Sequence, residues 1–396
     1  MNILWHSVSP FSPSGYGIVT KNVPFRFHPH FPILVSAYHG LIDSTVTINN
    51  TKLVSATSQT FGKEYVNEFI KYYKIDLPIL CSDFWAFKWF SKLENSTCYG
   101  PIDCADYIDE DIETLRDYDN FITCSQYGAN VYKELTGKNP LKYIPHGVDT
   151  TVYQPYNKEV CKKALGFNKP FVFGIVAANN DPEPRKGWDI MLSALKEFKE
   201  LFPNDKDKWM VYAHTDQYNS RGINLTDLAR KLGLEKNIVF SDFLSRNIGL
   251  DDKQMACLYS SFDVLINASR REGFCLPVLE AQACGTPVIA TDCTSLTELV
   301  KGHGYLVNKG KSVYNARGWL STVPDQQRLV KQLEICYFDT SIRDNYGKQA
   351  REFSLSYDWR RIVNEEWLPL LEHLSKLKIN IISSNDTKDE VGEIFE

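Results

Sequence analysis

Arg271-Glu272-Gly273-Phe274-Cys275-Leu276-Pro277-Val278-Leu279-Glu280-Ala281-Gln282-Ala283-Cys284-Gly285 lies between two apolar runs, DVLINAS (263–269) and PVIATD (287–292). Such runs suit parallel strands covered on both faces. Pro277 suits the first helical position and Gly285 the residue just past the end, so the spacing predicts a short helix over 276–284. That helix would start at the carboxyl edge of a parallel sheet, where open α/β folds hold ligands. Free backbone N–H groups over 274–278, with the helix dipole behind them, would cradle a diphosphate. Glu280 falls about one turn into the helix and Glu272 in the loop before it, so two carboxylates can flank one ligand from different heights. A carboxylate accepts two hydrogen bonds, which suits the paired hydroxyls of a ribose or hexose. For Glu280 alone, a favourable charge near the helix N-terminus is the competing explanation.

Outward from this segment, strand and helix signals alternate, the pattern of parallel sheets with crossover helices and hence an α/β fold. The first series of strands is expected at 2–8, 32–38, 77–82, 121–125 and 142–145. The second begins after Gly166-Phe167-Asn168-Lys169-Pro170 and runs over 171–177, 209–215, 237–243, 263–269 and 287–292. Between its first two strands, Trp188, Met191, Leu192, Leu195 and Phe198 recur at helical spacing and predict one apolar face over 188–202. His146-Gly147-Val148-Asp149, followed by Pro155, marks the best boundary between the two series. A helical stretch follows from about Asp325, then an aromatic-rich segment over 357–377 and a polar, acidic end after Ser383.

A chain of 396 residues has room for two domains. Its formal net charge of -5 argues against nonspecific attraction to nucleic acid or an anionic membrane. No run of about 18 apolar residues predicts a membrane span. The opening MNILWHSV reads as a first strand without a basic leader, and the 10 cysteines are single, none in a C-x-x-C pair. Both features predict a cytoplasmic, reducing setting with buried thiols and no metal.

The set formed by SGYG (14–17), IPHGVDTTVYQP (144–155), PRKGWDIMLSA (184–194), EGFCLPVLEAQACGTPVIATD (272–292) and Thr297-Glu298 with Gly304 resembles retaining glycosyltransferase family 4. SPSGYG (12–17) and Pro101-Ile102-Asp103 are similar to members carried by large algal viruses. The resemblance implies the GT-B architecture, two Rossmann-like doubly wound domains with parallel sheets facing a central cleft. It divides the chain into an acceptor-side domain (1–154), a nucleotide-sugar domain (155–354), a helix crossing back (355–382) and a tail (383–396).

By the same resemblance, Arg185 and Lys186 face the donor phosphates, and Lys186 meets the oxygen that gains charge as the glycosidic bond breaks. The bland alternative is a solvated basic pair at a helix start. Glu280 would bind ribose hydroxyls and Glu272 the transferred sugar. Gly273, Phe274, Cys275 and Leu276 would meet phosphates or sugar through the backbone. The base would lie near Ser241, Asp242 and Phe243, with Phe243 a packing face or a core residue. Gly15 and Gly17 would allow close backbone approach to the donor, or simply form a tight turn. Two departures stand out: Asn180 replaces the family's usual arginine, and Asp103 occupies the place of its usual histidine. Asp103 would hydrogen-bond sugar or acceptor, or cap the following turn.

The expected reaction moves a hexose to a glycan, glycoprotein or other hydroxyl acceptor with retention. GDP-mannose is the first-choice donor and a UDP-sugar the second; no metal cofactor is needed, and a homodimer is left open. A nucleotide-sugar epimerase on the same fold and a non-catalytic sugar-nucleotide-binding protein are the rivals. Three other signals are set aside. His28-Pro29-His30 lacks a third metal ligand, Asp109-Glu110-Asp111 reads as the first turn of a helix, and Cys275 has no histidine nearby in sequence to activate it.

Overall fold

The computed structural model describes residues 1–181, 183–242 and 249–377, so Phe243 lies outside the described residues. The first half builds an eight-stranded sheet. In chain order its strands are β1 Ile3–Val8, β2 Ile33–His39, β3 Thr45–Ile48, β4 Thr51–Ser55, β5 Leu77–Leu80, β6 Thr97–Gly100, β7 Asn120–Thr123 and β8 Lys142–Tyr143. The spatial order is β3-β4-β2-β1-β5-β6-β7-β8, parallel except for the β3–β4 hairpin. Every residue of β1 is buried, as a central strand covered on both faces requires. Its His6 is satisfied there by the Ser36 hydroxyl at 2.6 Å and the Phe61 carbonyl at 2.9 Å.

The second half builds a six-stranded, all-parallel sheet in the order β11-β10-β9-β12-β13-β14. These strands are β9 Phe171–Val176, β10 Trp209–His214, β11 Ile238–Phe240, β12 Val264–Asn267, β13 Val288–Thr291 and β14 Tyr305–Val307. All ten expected strands are found within a few residues of their expected ends. Short β6, with Gly100 at its end, and the β3–β4 hairpin carry too weak an apolar signal to be read from sequence. The helix Trp188–Leu201 buries Trp188, Met191, Leu192, Leu195 and Phe198 against β9 and β10, as their spacing predicts.

Two packed segments cross from one half to the other. The aromatic-rich segment near the end packs on the first sheet, where Trp367 lies 5.6 Å from Trp5 and 4.9 Å from Tyr99. In the other direction, an antiparallel hairpin of β15 (Lys309–Tyr314) and β16 (Leu320–Pro324) follows β14. Its Trp319 is buried among Phe84, Tyr107 and Phe121 of the first half. No helix among the described residues is long and apolar enough to cross a membrane.

Candidate functional site

The chain leaves β12 at Asn267 and re-enters helix at Leu276. Helix Leu276–Ala283 carries Pro277 at its second rather than first position, and Gly285 follows with φ +72°. Cys275 precedes the helix with φ +86°, a left-handed conformation that a non-glycine residue holds only at a cost of order 1–3 kcal/mol. It offers no side-chain cap. Instead the loop is pinned from outside. Ser295 donates to the carbonyls of Glu272 and Phe274, both at 3.0 Å, and the Glu272 N–H donates to Thr294 at 3.0 Å. No acceptor among the described residues takes the N–H groups of Phe274, Cys275 or Leu276. Burial pushes the Cys275 thiol up, which disfavours the thiolate a nucleophile would need.

Glu272 is buried and meets two cations from the loop after β9. Lys186 Nζ lies 2.5 Å from one carboxylate oxygen and Arg185 Nη1 3.7 Å from the other. Burial pushes the Glu272 carboxyl up, but Lys186 and Arg185 outweigh it and hold the pKa below the usual carboxylate range. Arg185 also pairs with Asp181 at 2.8 Å. The basic pair is therefore aimed into the loop, not solvated at a helix start.

Glu280 is buried one turn into the helix, where its Oε2 accepts from the Tyr259 hydroxyl at 2.7 Å. Burial pushes its pKa up to about 7, against the opposing effect of that hydrogen bond. Glu298 is likewise pushed up to about 7 by burial. It spans the halves, both of its oxygens accepting the Gln126 N–H at 3.1 Å at the start of helix Gln126–Thr136.

The first half supplies the opposite wall. Helix Gly15–Asn22 begins beside the site helix: a Cβ on Gly15 would lie 3.9 Å from Leu276 Cδ1. Ser14 caps that helix through the Gly17 N–H at 3.2 Å. A Cβ on Gly17 would sit 2.2 Å from the Ser12 carbonyl oxygen, so its smallness is already required by the turn. Gly273 is likewise crowded, with 2.2 Å between an added Cβ and Pro101. Phe274 is buried with its ring 5.1 Å from His146.

Asp103 is held by one partner from its own loop and one from the second half. It accepts from Tyr107 Oη at 2.9 Å and pairs with Arg271 Nη1 at 2.7 Å. The structure thus brings Lys186, Arg185, Glu272 and Asp103 into one charged network, with Glu280 a turn deeper. Arg271 was given no role in the sequence reading, although it directly precedes Glu272. Asp83, just past the carboxyl end of β5, was also missed. Burial pushes it up to about 6, opposed by the Tyr16 hydroxyl, and Asp103, Arg185 and Arg271 lie in its field. A carboxylate at a strand's carboxyl end was the signal that could have found it.

Residues 170–320 match the family model described as Glycosyl transferases group 1. A D-inositol 3-phosphate glycosyltransferase of Acidothermus cellulolyticus is 28% identical over 188 residues, 46% of this chain and 40% of the relative. A GDP-mannose-dependent monoacylated alpha-(1-6)-phosphatidylinositol monomannoside mannosyltransferase of Corynebacterium glutamicum is 28% identical over 194 residues, 48% of each protein. The chain thus spans less than half the length of these curated relatives. The solved sucrose-phosphate synthase of Thermosynechococcus elongatus superposes over 97% of this chain and 100% of its own, with a TM-score of 0.74 at 15% identity. The architecture is GT-B: two doubly wound α/β halves with parallel sheets, the site lying where they meet.

Proposed function

We propose that the chain is a retaining glycosyltransferase that moves a hexose from a nucleoside diphosphate donor to a hydroxyl of a glycan or similar acceptor. One observation carries this reading. The start of helix Leu276–Ala283, with N–H groups that no described residue accepts, opens beside Lys186, Arg185 and Glu272, with Glu280 one turn further in. Anion-binding N–H groups, two cations and two carboxylates at graded heights match a diphosphate flanked by a sugar and a ribose. The group 1 match over residues 170–320 supports the same reading. GDP-mannose is the first-choice donor, in keeping with the name of the Corynebacterium relative, and a UDP-sugar is the second.

In this reading residues 155–354 hold the donor and residues 1–154 the acceptor. The diphosphate lies against the Phe274–Leu276 N–H groups, with Lys186 and Arg185 taking its charge. Glu280 receives ribose hydroxyls and Glu272 the transferred sugar. The acceptor oxygen bonds to the anomeric carbon on the face from which the diphosphate leaves. The bond from that carbon to the phosphate oxygen breaks, and the departing phosphate takes the acceptor's proton, so no separate protein base is needed. The protein contributes positioning and electrostatic stabilisation of the leaving oxygen.

Calorimetric titration with a panel of nucleotide sugars, followed by product analysis, tests the reading. Binding of one nucleoside diphosphate sugar with slow hydrolysis in the absence of acceptor is the expected result. An epimerised sugar recovered without acceptor would transfer the assignment to an epimerase. Binding without any turnover or hydrolysis would leave a sugar-nucleotide-binding protein.

A further inference from the structure

Trp319, at the far end of the β15–β16 hairpin, is only 2% exposed, although the hairpin springs from the second half. Its ring centroid lies 5.1 Å from Tyr107 and 5.4 Å from Trp85, and its Nε1 donates to Asp111 Oδ2 at 3.0 Å. Arg317 is held between the two tryptophans, 4.1 Å from Trp85 and 4.4 Å from Trp319. The guanidinium of Arg271 lies 5.1 Å over the same Trp319 ring. Arg271 Nη1 pairs with Asp103 at 2.7 Å, its Nη2 faces Glu183 at 3.5 Å, and its Nε donates to Ser321 at 3.2 Å. One side chain is thus fixed by the first half, the second half and the hairpin together, and the next residue is Glu272.

This arrangement divides charge in a definite way. Arg271, Arg185 and Lys186 converge on one loop, and Glu272 would attract all three. Asp103 and Glu183 take Arg271, which leaves Glu272 to Lys186 and Arg185. A guanidinium's planar fork is suited to holding several partners at fixed angles, and the Trp319 face adds a cation–π contact. Since Asp103 belongs to the first half, Arg271 meets all its partners only when the halves are together.

We propose that Arg271 is a positioning residue for Glu272 and Lys186, and that the hairpin, through Trp319, holds Arg271 in place. Approach of the halves and alignment of the sugar-side carboxylate then become one event. The link to turnover rests on the glycosyltransferase reading; the hold of the hairpin on the loop does not.

The test uses the full chain as Arg271→Ala, Arg271→Lys, Trp319→Ala and the double variant Trp319→Ala/Arg271→Ala. It measures kcat, calorimetric affinity for the bare nucleoside diphosphate, and hydrogen exchange of residues 270–276. Misplacement by about 1 Å costs on the order of 100-fold in rate. Arg271→Ala should therefore lower kcat by about that factor, while diphosphate affinity shifts less than about threefold because the helix start and Glu280 are untouched. Arg271→Lys should recover part of kcat. Trp319→Ala should reproduce the same split and speed exchange of 270–276 while β1 and β5 stay protected. The double variant should be no slower than Arg271→Ala, because residues acting through one contact do not add. Should Trp319→Ala fail to fold, Ser321→Ala removes the acceptor of Arg271 Nε together with the hydroxyl that donates to Glu183 at 2.9 Å, and should give a smaller loss of the same kind. Equal losses of kcat and diphosphate affinity, additive effects, or unchanged exchange of 270–276 would each overturn the proposal. If the wild-type chain turned over no nucleotide sugar, the functional reading would fail, and the exchange measurement alone would still decide whether the hairpin holds the loop.

Discussion

Glu272 and Glu280 stand eight positions apart in one strand–loop–helix unit, yet the molecule treats their charges in opposite ways. Around Glu272, burial is outweighed by Lys186 at 2.5 Å and Arg185 at 3.7 Å, and the carboxyl lies below its ordinary range. Around Glu280, burial outweighs the hydroxyl of Tyr259, with the more distant Asp252 and Lys21 acting in opposite directions, and the carboxyl is pushed up to about 7. Depth of burial is similar at the two, so the difference is made by partners. An ionised carboxylate with cations beside it suits the reacting end of a donor, where charge moves. A carboxyl near neutrality, with no cation paired to it among the described residues, suits hydrogen bonding to hydroxyls that do not react.

The largest test of this contrast is removal of the cation. Lys186→Ala should lower kcat more than it raises the donor KM, because the ammonium matters most as charge develops on the leaving diphosphate. Loss of one preorganised electrostatic donor typically costs on the order of 2.7–4 kcal/mol, or about a hundred- to thousand-fold in rate. Lys186→Arg should restore only part, since a planar fork replaces a point charge poorly. Near-normal kcat in Lys186→Ala would hand the role to Arg185 or the helix start.

Next in size is the pH dependence of stability. A Glu280 carboxyl at about 7 in the folded chain, against 4.5 for an ordinary glutamate, means the folded state binds more protons across that interval. Stability from this group is present below about pH 4.5 and is lost as pH rises through 7, by on the order of 3 kcal/mol in total. Glu298, also at about 7, acts with the same sign. Denaturant unfolding between pH 5 and 8 should therefore fall less steeply for Glu280→Gln than for the wild type. Parallel profiles would mean that Glu280 is not the group titrating.

A smaller effect separates the two roles in binding. Glu280→Ala should weaken bare nucleoside diphosphate by up to about tenfold, in line with about 0.5–1.5 kcal/mol for each hydrogen bond lost. Glu272→Ala should spare that binding and lose turnover or sugar selectivity. Equal loss of diphosphate affinity in both variants would remove the division of labour. The smallest expected effect is none at all: EDTA should leave donor binding and turnover unchanged if, as proposed, the phosphates are met by Lys186, Arg185 and backbone N–H groups. Abolition of both in a well-folded sample would require a different account of the site.

The helix over 276–283, both parallel sheets and the apolar face of Trp188–Leu201 were legible because each rests on local rules. Strand runs, a proline near a helix start and a glycine past its end act within a few residues. The strands that escaped the reading are short or placed by tertiary contact: four-residue β6, three-residue β14, the β3–β4 hairpin and the hairpin that turns just before Trp319. Asp103 was assigned to sugar, acceptor or turn, and its protein partners Arg271 and Tyr107 come from elsewhere in the fold and the same loop. Gly17 was read as close approach to a donor or a tight turn and Gly273 as donor-binding; the atoms that crowd them in the fold are those of Ser12 and Pro101.

By itself the sequence determined ten of the strands and the helices over 188–201 and 276–283, that two parallel sheets arise, and that Glu272 and Glu280 flank one helix start. Spacing and capping chemistry are properties of neighbours along the chain. Only the tertiary structure decided how those carboxylates titrate, and which cation serves which anion among residues 103, 183, 185, 186, 271 and 272. Burial and Coulomb interaction depend on distances through space, and here they join residues more than 150 positions apart.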